Sequence, residues 1–151
     1  MKLAEALQER ADLNQKIQQL KGRLLNNVLV QEGEQPTESP EELMRELDSC
    51  ITRLEYLIAK INLTNSAVRM DGKTLTDALS RKDTLSLKLS VYRDAVAAAG
   101  ENTQRARYSE IKILPAVSVP ELQKKVDAIA KELRQLDNQL QAQNWQTDLI
   151  E

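Results

Sequence analysis

NLTNSAVRMDGKTLTDAL, residues 62–79, decides how this chain is read. One helical pattern runs into it through Leu54, Leu57 and Ile61, and another runs out through Leu75 and Leu79. Between them lie Asn62, Thr64, Asn65 and Ser66, short polar side chains of the kind that satisfy backbone groups where helices end. The same side chains could hydrogen-bond a ligand, which makes Asn62 and Asn65 candidate contacts. Asp71-Gly72 suits a tight turn of positive φ and predicts a short β-hairpin within residues 67–75. Thr74, followed three residues later by Asp77, reads as a capping box that opens the next helix. The chain therefore divides into two helices before this turn and two after it.

Outward from the turn, the periodicity predicts helices over residues 2–30, 40–65, 75–99 and 119–144. The first carries one core column of Leu3, Arg10, Ile17 and Leu24 and another of Ala6, Leu13, Leu20 and Asn27, the three-four alternation of a packing seam. Gly22 inside it is either a point of close helix approach or a tolerated surface glycine. Ser39-Pro40-Glu41-Glu42 is a helix start, with Ser39 as cap and Pro40 in the first turn. The second helix has its seam at Leu43, Leu47, Cys50, Leu54, Leu57 and Ile61, with Ile51 and Ile58 beside it. The third carries two stripes, one through Leu85, Leu89, Tyr92 and Val96 and one through Leu87, Val91, Ala95 and Ala98. Residues 111–117, IKILPAV, are β-prone and are expected to pair with the hairpin at an edge, where Pro115 is tolerated. Ser118 caps the fourth helix, whose seam is Leu122, Val126, Ile129, Leu133, Leu136 and Leu140. The expectation is an all-α single domain over residues 1–151: an antiparallel four-helix bundle of coiled-coil-like helices, with a short β-hairpin at a connection.

Composition narrows the chemistry. Aromatics make up 3% of the 151 residues and Phe is absent, while charged residues reach 29%, as in chains of long helices. The net charge of -2 provides no electrostatic footprint for nucleic acid. Histidine is absent, which removes Ser-His-Asp and Cys-His catalysis and imidazole-ligated metals together. The one cysteine, Cys50, falls on the apolar stripe and reads as a small buried hydrophobe rather than a reactive thiol. No Gly-rich phosphate loop occurs, and no window approaches the roughly 18 uncharged apolar residues of a membrane span. No cofactor is expected, the membrane is not an expected partner, and the cytoplasm is the expected compartment.

ERADLNQKIQQLKGRLLNNVLVQEGE (9–34), INLTNSA (61–67) with GKTLTDAL (72–79), RYSEIK (107–112) and LDNQLQAQNWQTDL (136–149), in this order and spacing, resemble the septicolysin-like family of small bacterial helical proteins. The resemblance spans essentially the whole chain. It implies a helical fold without an established catalytic mechanism, and the family's name implies a membrane-active cytolysin.

Polar residues on apolar seams are the remaining candidates. Arg10 and Asn27 in the first helix and Lys82 in the third either fix the helix register or form a polar site with carboxylates such as Asp83, Glu132 or Asp137. Arg107, Tyr108 and Lys112 belong to a small basic, hydroxyl-bearing patch able to take a phosphate or a partner's carboxylate. Glu32, Glu34, Glu38, Glu41 and Glu42 form an acidic run without EF-hand spacing, so a solvated loop is expected there. Leu87 and Val91 mark a second apolar face, beyond the one a bundle needs. They predict a homo-oligomer, a dimer or larger, or a protein that binds a protein partner without catalysis, the alternative being an enzyme with a polar site at the bundle interior.

Overall fold

The computed structural model describes residues 1–101 and 111–151. Among these the chain forms helices α1 (Leu3–Leu25), α2 (Pro40–Ala67), α3 (Leu75–Gly100) and α4 (Val119–Gln146) and strands β1 (Arg69–Met70) and β2 (Lys73–Thr74). It divides into two compact units, residues 1–74 with 142–151, and residues 75–141.

The first unit is built on the antiparallel pair α1–α2. Ser39 sits in extended conformation and its hydroxyl accepts from the Glu42 N–H, while Pro40 occupies the first turn, as the sequence suggests. Leu20, Leu43 and Cys50 are buried together, with Leu13, Ile17, Leu24 and Leu47 packed against them. Leu57 and Ile61 are fully covered further along α2. Burial of each such side chain is worth roughly 1.5–3 kcal/mol relative to leaving it in water. Ile51 and Ile58, beside the seam, stay exposed.

α1 stops at Leu25, five residues short of the expected end. The reason is Asn27, which lies past the helix rather than on its seam. Its amide donates to the Arg23 carbonyl at 2.7 Å and its carbonyl accepts the Glu38 N–H at 3.0 Å. One buried side chain thus closes the helix end and holds the returning loop. Gly22 has no neighbour that a Cβ would meet, so it is a surface glycine and not a point of close approach.

The hairpin forms where Asp71-Gly72 predicts it. Both residues have positive φ, 52° and 80°, which is the twist a two-residue turn needs between antiparallel strands. Arg69 pairs with Thr74 and Met70 with Lys73. The sheet is two-stranded among the described residues, so residues 111–117 do not join it. Pro115 lacks a ladder donor, and Ile111 and Leu114 remain largely exposed.

The first unit is closed by the chain ends. The Leu3 N–H donates to the Thr147 carbonyl and the Leu149 N–H to the Met1 carbonyl, both at 2.9 Å. Lys2 adds an ion pair to Asp148 at 2.8 Å.

In the second unit α3 and α4 meet through Leu85, Leu89, Val126 and Ile129, with Tyr92, Val96, Ala130, Leu133 and Leu136 around them. Ser118 caps α4 by accepting the Glu121 N–H. Only one of the two stripes on α3 is covered; Leu87 and Val91 are 66% and 54% exposed.

Candidate functional site

The polar groups of the first unit are organised by heptads. Glu9, Lys16 and Arg23 recur every seven residues along α1. They face Arg53 and Glu46, seven residues apart on α2, and Glu38, eight residues further back in the loop that leads into it. The Arg53 guanidinium donates to both Glu9 carboxylate oxygens at 2.6 and 2.9 Å. Lys16 meets Glu46 at 2.8 Å. Arg23 grips Glu38 through two nitrogens. Arg53 also lies 5.2 Å from the centre of the Tyr56 ring.

These contacts set the charge states. The hydrogen bonds from Arg53, Arg23 and Lys16 hold the Glu9, Glu38 and Glu46 carboxyls below the ordinary glutamate value. The same bonds raise Lys16, Arg23 and Arg53. The pairs are solvated, so each contributes little to stability; together they specify the alignment of the helices. The sequence signal is the seven-residue spacing of Glu9, Lys16 and Arg23 against that of Glu46 and Arg53, which the apolar seams alone do not show.

Of the candidates read from sequence, Arg10 is half-buried and takes no part in this ladder. Asn27 is committed to backbone, as described above. Asn62 is exposed and Asn65 half-buried. Their neighbours Thr64 and Ser66 bond carbonyls one turn back, at Lys60 and Leu63, as helix-end residues do. In the second unit Lys82 meets Asp137 of α4 at 2.5 Å, and Arg81 meets Glu132 at 2.7 Å. Asp83 is exposed on another face, and Lys112 is exposed as well. Arg107 and Tyr108 lie outside the described residues. The structure thus brings Lys82 and Asp137 together but gathers the other described candidates into no common site. Cys50 is buried among leucines. Among the described residues no group of three or more acidic or cysteine side chains is placed to hold a metal ion, and no helix is long and apolar enough to cross a membrane.

What the arrangement offers instead is surface. Met44, Ile51 and Ile58 form an exposed heptad row on α2, and Leu87 and Val91 an exposed pair on α3. A shallow cleft of the second unit is lined by Ser86, Leu89, Ser90, Arg93, Asp94 and Leu133, and so contains two hydroxyls, one cation and one carboxylate.

These features define a helical protein with charge-registered helix pairs and uncovered apolar rows. Residues 10–149 match the model of a family of unknown function, DUF6847, and the chain belongs to that family. It is also similar to a conserved protein of unknown function from Corynebacterium diphtheriae known from its crystal structure. The two share 42% sequence identity over 99% of each chain, with a TM-score of 0.92. A comparison with curated proteins gives no match. These findings overturn the septicolysin-like resemblance and with it the ground for the cytolytic activity its name implied. The quoted segments are leucine- and charge-rich helix, turn and cap patterns, which unrelated helical chains share for the same physical reasons.

Proposed function

We propose that this protein works without catalysis, through association of its helices with a second copy or with a protein partner. The observation that carries the reading is the unburied apolar surface on helices that are otherwise well registered. Leu87 and Val91 are more than half exposed on α3, and Met44, Ile51 and Ile58 are each more than two-fifths exposed on α2. Contiguous exposed apolar surface marks interaction sites. The absence of histidine supports the same reading, because it removes the commonest general base. In this reading residues 1–151 act as one helical domain in the cytoplasm. The unit of assembly is an antiparallel four-helix bundle, built from helix pairs of one chain or of two.

The test is light scattering over a dilution series from tens of micromolar to well below one micromolar, on affinity scales of about that range. A multiple of 17.1 kDa that persists on dilution is the expected result. Leu87→Glu with Val91→Glu should then lower the mass if the α3 row is part of the interface. A constant mass of one chain throughout would remove self-association.

A further inference from the structure

The ion-pair ladder fixes which side of α1–α2 is left open, and that side is chemically asymmetric. Glu9, Lys16 and Arg23 occupy one flank of the α1 seam. By helical geometry Arg10, Ile17 and Leu24 occupy the other. On α2, Glu46 and Arg53 mark the ladder flank, and Met44, Ile51 and Ile58 lie across the seam from them. Leu47 and Leu54 lie between these rows and the core, half-buried. The open side is therefore a continuous apolar strip with unlike borders. Its α1 border carries Arg10 and Lys21, and its α2 border carries Asp48 and Glu55. None of these four makes an ion pair among the described residues.

The ladder also gives the heights. Glu9 is level with Arg53 and Lys16 with Glu46, so Arg10 is level with the turn of α2 between Asp48 and Glu55. We propose that this side of the α1–α2 pair packs on the same side of a second copy, about a two-fold axis parallel to the helices, with Arg10 of each chain between Asp48 and Glu55 of the other. That axis lays the basic border of each copy over the acidic border of its mate while preserving height. Arg10 then stands within about 6 Å of rise from either carboxylate, well within the reach of an arginine. It also sets α1 of one copy antiparallel to α2 of the other, completing four antiparallel helices. A two-fold axis across the helices would instead lay the Arg10 and Lys21 border on itself, and like charges so placed oppose association. The arrangement accounts for an arginine standing half-buried on an apolar seam without an ion-pair partner among the described residues.

This inference rests on the self-association reading and adds a face, an orientation and a pair of contacts. The experiment uses two full-length variants, Arg10→Glu and the double variant Asp48→Arg with Glu55→Arg. None of these residues belongs to the in-chain ladder, so each variant should keep the helical circular dichroism of the wild type. Each alone should dissociate to 17.1 kDa at concentrations where the wild type is a dimer, a weakening of at least about tenfold for reversed contacts at both symmetric positions. An equimolar mixture should recover the dimer mass, because the mixed pair restores both attractive contacts. A variant that merely misfolds cannot be rescued by mixing. A wild-type dimer unaffected by either variant, or variants that stay monomeric when mixed, would overturn the inference and leave self-association standing. A wild type that is monomeric throughout would overturn both.

Discussion

Lys16 and Glu46 meet at 2.8 Å at the midpoint of the ladder, and each one-heptad slip of the two helices would replace an opposite-charge contact beside them with a like-charged one. Sliding α2 by one heptad in one direction brings Lys16 opposite Arg53. Sliding it the other way brings Glu9 opposite Glu46. Apolar seams repeat every seven residues and tolerate such slips, since leucine meets leucine again. The change of sign between Glu9 and Lys16, mirrored between Arg53 and Glu46, puts a like-charged pair into each slip, although the first slip also sets Arg23 opposite Glu46.

Reversing Lys16 to Glu should therefore lower the melting temperature by a small amount, as should Glu46→Lys. The double exchange, Lys16→Glu with Glu46→Lys, should recover most of what the two single changes lose. Thermal unfolding of the four proteins, followed by circular dichroism, gives the coupling directly. Additive losses would show that the pair does not set the register.

The ladder also predicts an acid response. Glu9, Glu38 and Glu46 have folded-state values below their unfolded ones because arginine or lysine donates to each. Their stabilisation is complete above the unfolded glutamate value and is lost as pH falls through the folded value. The melting temperature should thus be flat from about pH 7 to about pH 5 and decline below that, given ordinary glutamate titration. Glu46→Gln should fall less steeply than wild type over the acid range, since it has one such proton fewer to take up. Parallel curves for the two proteins would contradict the assignment.

Core and surface rows of α2 should separate sharply on truncation. Leu57 is fully buried, and Leu57→Ala should cost about 2–5 kcal/mol through lost transfer energy and a residual cavity. Ile51, 46% exposed, should cost the folded chain within about 0.5 kcal/mol when changed to Ala. Urea unfolding at low protein concentration keeps any association out of the comparison. Equal losses would mean that the buried row has been misplaced by a residue.

Much of this fold is legible in the chain because its signals are local. Ser39-Pro40, Ser118 and Asp71-Gly72 act within four residues of themselves, and each does in the structure what its chemistry predicts. The seams of α2 and α4 follow from period alone. What was not legible depends on pairing across distance. Asn27 sits in phase with the α1 seam, so periodicity places it in the helix; only its bond to Glu38, eleven residues on, shows that the helix has ended. Residues 111–117 have strand composition but do not join the β1–β2 sheet, and composition cannot say which strand a segment pairs with. The site candidates fared unevenly for the same reason. Lys82 and Asp137, 55 residues apart, do meet. Arg10 and Asn27 lie on one helical repeat yet have unrelated surroundings.

The chain ends provide the sharpest local test. Thr64 is fully buried one turn before α2 ends. Its hydroxyl donates to the Lys60 carbonyl at 2.8 Å and accepts the Ile150 N–H at 2.9 Å. A single oxygen thus ties the last residues of the chain to the helix that leads into the hairpin. Thr64→Val keeps the shape and removes the acceptor, leaving the Ile150 N–H without its partner. A buried donor so orphaned costs about 1–3 kcal/mol, unless the tail lifts into water and takes a solvent bond instead. Either way the Ile150 amide should lose protection from hydrogen exchange, while the amides of Leu85 and Leu89 in the second unit should keep theirs. Thr64→Ser retains the oxygen and loses only the methyl group, so it should preserve the Ile150 protection at some cost in packing. Unchanged exchange at Ile150 in the valine variant would show that the tail is held by Leu3, Lys2 and Met1 alone.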